Sequence, residues 1–161
     1  MIVLVYVDNL IIFSSNVETM GALKAKLEAE YKMTNLGKLH YCLKMEFARD
    51  QKARTITMSQ AKYVEEVLKR FGMEDCKPIG TPLDTKVKLE KLSMEEYDAE
   101  ASRMVSVPYK SAIGSLMYAM VATRADLAFA ISTVSQHMAR SGWSHWMAVK
   151  RIMRYLRAPL T

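Results

Sequence analysis

Near the N-terminus, Tyr6-Val7-Asp8-Asn9 stands between two apolar runs, 2–7 and 10–13, a setting in which residue type and position together suggest chemistry. Both runs are rich in β-branched and aromatic residues, which favour a pleated, half-buried backbone. Asp8-Asn9 suits a two-residue hairpin turn, because both residues tolerate positive φ. A carboxylate on the tip of a stiff hairpin is well placed to hold a metal ion. An Asp-Asn pair is also an ordinary turn, and locally both readings stand. His40, His137 and His145 are far apart in sequence and lack a Cys or His at metal-ligand spacing. His145, between Ser144 and Trp146 at a helix start, reads as a capping or packing residue. The six glycines are scattered singly, so no phosphate-cradling loop is present.

A second candidate is electrostatic. No Asp or Glu follows Asp126, whereas Arg140, Lys150, Arg151, Arg154 and Arg157 do, within a net charge of +6. A purely basic block is the footprint expected for a phosphate-backbone partner. Helix C-termini also favour cations, so charge alone leaves a merely solvated helix open. Lys150, Arg154 and Arg157 fall at i, i+4 and i+7 on one helix face, opposite Trp146, Val149 and Ile152. Arg151 lies beside that face, a potential partner for Asp126.

The elements that must position these residues follow from period and punctuation. Ser15-x-x-Glu18 makes a capping box for a helix over 16–32, with Met20, Leu23, Leu27 and Tyr31 at helical spacing. Asn35-Leu36-Gly37 reads as a turn. Tyr41, Leu43, Met45 and Phe47 alternate with polar or small residues as one strand. A polar loop over 49–53 then leads to a second strand over 54–58. Ser59 can cap a helix striped by Tyr63, Val64, Val67, Leu68 and Phe71 and stopped by Gly72. Residues 84–107 are crowded with charge and read as a linker or marginal helix without chemistry. Beyond Pro108 the pattern is helical. Ile113, Leu116, Met117, Met120 and Val121 define one helix, in which Gly114-Ser115 permits close packing. Thr123 with Asp126 resembles a cap box for a second, and Ser144 caps a third. The expected fold class is α+β: β-hairpins with packed helices over 1–83, the charged linker 84–107, and a small helical region over 108–161.

At 161 residues and 50% hydrophobic the chain can build a core, and its 13 methionines mostly fall on apolar stripes as core filler. No run of about 18 apolar residues predicts a membrane span. Met1 leads into an apolar strand without a basic n-region, so a signal peptide is not expected. Cys42 and Cys76 are the only cysteines, and are expected to be reduced. The expected setting is intracellular, cytoplasmic or nuclear.

Several motifs, taken in order, carry a resemblance. Tyr6-x-Asp8-Asn9 is followed by Met33-x-Asn35-Leu36-Gly37, Leu43-x-Met45-Glu46, and Ser59-Gln60-x-x-Tyr63 running to Arg70-Phe71-Gly72-Met73. Thr81-Pro82-Leu83, Ile113-Gly114-Ser115-Leu116-Met117-Tyr118, Thr123-Arg124-x-Asp126 and His145-x-x-Ala148-x-x-Arg151-Ile152-x-Arg154-Tyr155-Leu156 complete the series. Together they resemble the reverse transcriptase of copia-type (pseudoviral) LTR retrotransposons over nearly the whole chain. The resemblance implies an RNA-directed DNA polymerase, with a partial palm followed by a thumb-like helical region. It also implies Mg²⁺ (or Mn²⁺) as cofactor and a template–primer duplex as partner, and suggests the remaining N-terminal polymerase part as a second partner.

In such polymerases two divalent ions about 4 Å apart activate the primer hydroxyl and stabilise the leaving pyrophosphate. Three aspartates hold them, two from a Tyr-x-Asp-Asp hairpin and one from an earlier strand. Here Asp8 matches the first of the pair as a metal ligand, and Asn9 replaces the second. The earlier strand does not precede the hairpin in this sequence. One carboxylate of three cannot hold two dications, so negligible polymerase activity is expected of this chain alone. Tyr6, beside the turn, and Lys44 are candidate nucleic-acid contacts. Lys44 stands where the family has Gly, in a strand resembling the primer-binding hairpin; its side chain must swing aside or touch a phosphate. Ala125 replaces the proline of Thr-Arg-Pro-Asp, and Ala158-Pro159 stand where Gly-Thr is expected. Two alternatives remain: a non-catalytic nucleic-acid-binding or interaction module, and a non-functional element remnant that barely folds.

Overall fold

The computed structural model describes residues 1–84 and 86–158. The chain divides into two compact units, 1–42 and 43–161, rather than after Leu83. Both are mixed α/β.

In the first unit β1 (Ile2–Tyr6) and β2 (Asn9–Phe13) form an antiparallel hairpin in register Ile2↔Phe13 to Tyr6↔Asn9. The two loop residues are therefore Val7 and Asp8, one position earlier than expected. Asn9 opens β2. Every residue of β1 is exposed. Helix α1 (Val17–Glu30) is capped by Asn16, whose Oδ1 accepts from the Glu18 and Thr19 amides at 2.8 and 3.1 Å. The cap is thus Asn16 and not Ser15, and Tyr31 lies beyond the helix in extended backbone. Met20, Leu23 and Leu27 are half-buried, and α1 buries no residue fully. Asn35 Oδ1 accepts from the Gly37 amide at 3.0 Å with Gly37 at φ +78°, so the predicted turn is an Asx turn. The short β3 (Tyr41–Cys42) ends the unit.

In the second unit Leu43 and Lys44 both adopt positive φ (50° and 60°). The single strand expected over 41–47 is therefore broken, and β4 (Met45–Asp50) begins after the turn. A two-residue turn preserves strand alternation, which is why the period could not reveal it. β5 (Thr55–Ser59) pairs antiparallel with β4, from Glu46↔Ser59 to Asp50↔Thr55. Helix α2 (Ala61–Arg70) starts after Gln60, and Ser59 Oγ accepts from the Ala61 amide at 3.2 Å. Its end is a Schellman motif: Gly72 at φ +62° donates to Lys69 O at 3.1 Å, and Met73 donates to Leu68 O at 2.8 Å. Leu68 and Met73 both enter the core.

Residues 86–107 do not run as a free linker. They hold α3 (Met94–Met104), started by a complete capping box between Ser93 and Glu96, and α3 packs on α6 (Trp143–Arg157). Leu89, Met104 and Val107 pack against the core. That core is built by α4 (Tyr109–Ala122), α5 (Ala128–Ser135) and α6, with α2 laid against α4 and α6. Ile113, Leu116, Leu127, Ile131, Val134, Val149, Ile152 and Met153 are fully enclosed. Burying one such side chain is worth about 1.5–3 kcal/mol. Cys42 and Cys76 are unpaired.

Four local expectations change here. Met117 and Val121 face outward on α4. No atom lies near the position of a Cβ on Gly114; Ser115 is the buried residue, its carbonyl accepting from Tyr63 Oη at 3.0 Å. Thr123 is the C-cap of α4, and a 3-10 turn (Ala125–Leu127) precedes α5, so Thr123 and Asp126 form no cap box. Gly142, not Ser144, is the N-cap of α6. Pro159, part of the expected C-terminal departure, lies outside the described residues.

Candidate functional site

The hairpin tip takes its shape from its backbone. Val7, the first of the two loop residues, has φ +51°, and Asp8 does not share the positive sign. A β-branched residue at positive φ is strained, and the turn holds it so that Asp8 projects, exposed, from the tip. Tyr6 and Asn9 close the ladder opposite one another and are exposed as well.

The donor set does not fit a two-metal site. Asp8 offers one carboxylate, and the Asn9 amide oxygen is neutral and binds hard dications weakly. Among the described residues no three His, Cys, Asp or Glu side chains come together in a manner that could hold a metal ion.

Lys44 answers its own question by turning aside. Its Nζ pairs with Glu66 of α2 at 2.9 Å, both side chains about half exposed. The backbone of Lys44, at φ +60°, is one that glycine adopts without strain. No sequence spacing pointed to Glu66.

The three cations of the last helix are placed differently from one another. Lys150 Nζ lies 5.7 Å from the Trp146 ring centroid, so it covers Trp146 instead of opposing it. Arg154 Nε donates to the Lys77 carbonyl at 2.8 Å. Arg157 is exposed in the last helical turn. Lys150, Arg151 and Arg154 line a cavity of about 380 Å³ whose other wall includes Met73, Leu83 and Leu89. Arg151 reaches Thr81 Oγ1 at 2.9 Å and Asp84 at 3.6 Å, not Asp126.

Asp126 belongs to Arg124. The guanidinium, 5% exposed, donates from Nε and Nη2 to the carboxylate at 2.9 and 2.8 Å. Hydrogen bonding from Arg124 holds the Asp126 carboxyl below its usual range, and the same bond raises Arg124. Thr123 Oγ1 donates to buried Gln60 at 2.8 Å, tying the start of α2 to the end of α4. These polar ties account structurally for Gln60, Tyr63, Thr123, Arg124 and Asp126 in the sequence motifs.

His145 does cap. The Gly142 amide donates to its Nδ1 at 2.9 Å, so the ring proton sits on Nε2, which donates to the Glu90 carbonyl at 3.0 Å. His137 stacks on it with ring centroids 4.1 Å apart. Eight residues of sequence separation gave no signal for this pairing, because it depends on the turn between α5 and α6.

Comparison with known proteins fits this arrangement. The family described as reverse transcriptase (RNA-dependent DNA polymerase) matches residues 1–85, just over half of the chain. The chain belongs to the reverse transcriptase family. More particularly, it corresponds to a fragment of a copia-type retrotransposon reverse transcriptase. It is 43% identical over 156 residues to the retrovirus-related Pol polyprotein from transposon TNT 1-94 of Nicotiana tabacum, covering 97% of this chain and 12% of that protein. An uncharacterized mitochondrial protein of Arabidopsis thaliana is 29% identical over 160 residues, covering 99% of this chain and 62% of that one. The Pol polyprotein from Arabidopsis transposon RE2 is 31% identical over 153 residues, covering 95% and 10% respectively. The chain thus spans less than two thirds of each of these relatives. No solved structure matches it.

Proposed function

We propose that this segment retains the polymerase hairpin of a copia-type reverse transcriptase as a structural element without a working metal site of its own. The observation that carries this reading is the hairpin tip: a single exposed carboxylate, Asp8, with Asn9 in the first ladder position of β2. In this reading residues 1–83 derive from the palm and the helical part from a thumb-like region. The surviving chemistry is non-specific contact with the phosphates of a template–primer duplex through Lys150, Arg154 and Arg157. Lys44 and Tyr6 contribute less, Lys44 because Glu66 already neutralises it. A further N-terminal polymerase part is the protein partner; no membrane is involved. Among the described residues no helix is long and apolar enough to cross a membrane. The intracellular location, cytoplasmic or nuclear, belongs to the same reading and is checked by imaging a tagged chain.

Template-primed nucleotide incorporation with Mg²⁺ or Mn²⁺ tests it. No incorporation is expected from this chain, nor from Asn9→Asp, which supplies only a second carboxylate. Metal-dependent incorporation by the unaltered chain would overturn the proposal.

The full exposure of β1 favours a second reading, a remnant whose first unit is unstable alone, since unpaired apolar edges invite association. Cooperative unfolding of both units in a monomeric preparation would defeat it.

A further inference from the structure

The N-terminus of α6 is fastened to the 90–104 segment at three points. Glu100 accepts from the Trp143 amide, the Arg103 guanidinium lies 3.6 Å from the Trp143 ring centroid, and His145 donates to the Glu90 carbonyl. His145 is 0% exposed, and His137, at 9%, stacks on it with an interplanar angle of 23°. The fit is close: a Cβ on Gly142 would clash with Glu100 Oε2 and crowd Leu92.

The bonding requires a neutral ring. Nδ1 must accept from the Gly142 amide, so a proton there would set two donors against each other and remove the helix cap. A charged His145 would also lie against His137 in an enclosed site. The other groups around it do not rescue the charge. Glu100 of α3 is committed to the Trp143 amide, Arg103 of α3 is itself a cation, and Glu90 presents its backbone carbonyl. That carbonyl and the nearby Glu100 carboxylate both favour the protonated ring, but burial first and then His137 outweigh them and hold His145 below its ordinary value. Burial lowers His137 likewise.

We propose that the stacked His137–His145 pair is an acid-released latch that fastens residues 90–104 onto the start of α6. Because the docked form favours neutral rings, the latch is fully closed above the ordinary histidine pKa of about 6.5 and weakens as pH falls below it. Each histidine that takes up a proton on release raises the opening equilibrium by up to about tenfold per pH unit.

Hydrogen exchange of the intact chain, corrected for the intrinsic pH dependence of exchange, reads this directly. Between about pH 7.5 and about pH 5.5 the protection of residues 86–104 should fall about ten- to a hundredfold, while that of α4 stays constant. His137→Phe keeps a ring in the stack without a charge and should reduce the response to about tenfold. In the double variant His137→Phe with His145→Gln, glutamine can still accept from the Gly142 amide, and the response should vanish. If the double variant fails to fold, His137→Phe with the two ring titrations followed by NMR carries the test. A change of less than about threefold in the unaltered chain, a response in the folded double variant as large as the parent's, or ring titrations at the ordinary value would overturn the proposal.

Discussion

Replacing Lys150, Arg154 and Arg157 together with alanine should flatten the salt dependence of duplex binding before anything else. Each phosphate neutralised on a B-form duplex contributes about 0.9 to the slope of log affinity against log salt, so three contacts contribute about 2.7. Raising salt fourfold, from about 50 to about 200 mM, then costs about 40-fold through these residues alone. The three are not equivalent. Arg157, exposed in the last turn of α6, is placed to contribute its full share. Lys150 must leave the Trp146 ring, which takes about 0.5–1 kcal/mol from affinity and nothing from the slope. Arg154 spends Nε on the Lys77 carbonyl and keeps its terminal nitrogens for a phosphate. Arg154→Ala should therefore also lower stability by about 1 kcal/mol and Lys150→Ala by about 0.5–1 kcal/mol through the lost ring contact, whereas Arg157→Ala should stay within about 0.5 kcal/mol of the parent. Anisotropy titrations of a labelled duplex across salt, with a urea melt of each variant, separate the two effects. A parent slope below about 1, or an unchanged slope in the triple variant, would refute phosphate contact by this face.

Three further substitutions test the structure behind that surface. Lys44→Gly should be more stable in urea than Lys44→Ala by about 1 kcal/mol, the reverse of the usual order, because Lys44 holds a left-handed backbone at φ +60°. Asp126→Asn should cost about 1–2 kcal/mol, less than a fully buried pair because the carboxylate is 39% exposed, and should remove part of the acid sensitivity. The sign follows from the depressed Asp126 pKa: its contribution is complete above the ordinary carboxylate range and is lost as pH falls through the lowered value, which stability curves down to low pH will show. Gly142→Ala should cost about 1–2 kcal/mol in urea, since its Cβ would displace Glu100 from the Trp143 amide and press on Leu92.

Burial of the helical core was legible because helical period marks an apolar face directly: Leu116, Ile131, Val149 and Ile152 fall where the pattern puts them. Met117 and Val121 did not follow, because an all-round apolar helix does not say which side a neighbour will cover. Strand period fails in a different manner. It survives a two-residue turn unchanged, so Leu43-Lys44 hid inside an apparent strand. Side-chain partners were least legible. Asp126 pairs with Arg124 two residues away and not with Arg151, a choice made by the local turn, whereas Lys44 with Glu66 and Arg151 with Asp84 meet through tertiary folding that spacing cannot order. Residues 84–107 looked solvated because their charges are many. A few well-placed residues, Leu89, Glu100 and Arg103, nonetheless dock the segment.

The two departures at the polymerase motifs carry different physical consequences. Asn9 enters β2 opposite Tyr6, where the ladder asks for a backbone and accepts any side chain, so the hairpin's shape does not depend on whether an amide or a carboxylate stands there. Lys44 instead stands where the backbone makes a demand, positive φ, and its ammonium is absorbed by Glu66. Neither change unmakes the fold. The hairpin is set by register and by the turn at Val7-Asp8, and the metal chemistry is set by how many carboxylates converge there. Those are separate requirements, met by different atoms. In the proposed reading the hairpin keeps its shape without the carboxylates a two-metal site needs, so the persistence of the fold carries no information about activity.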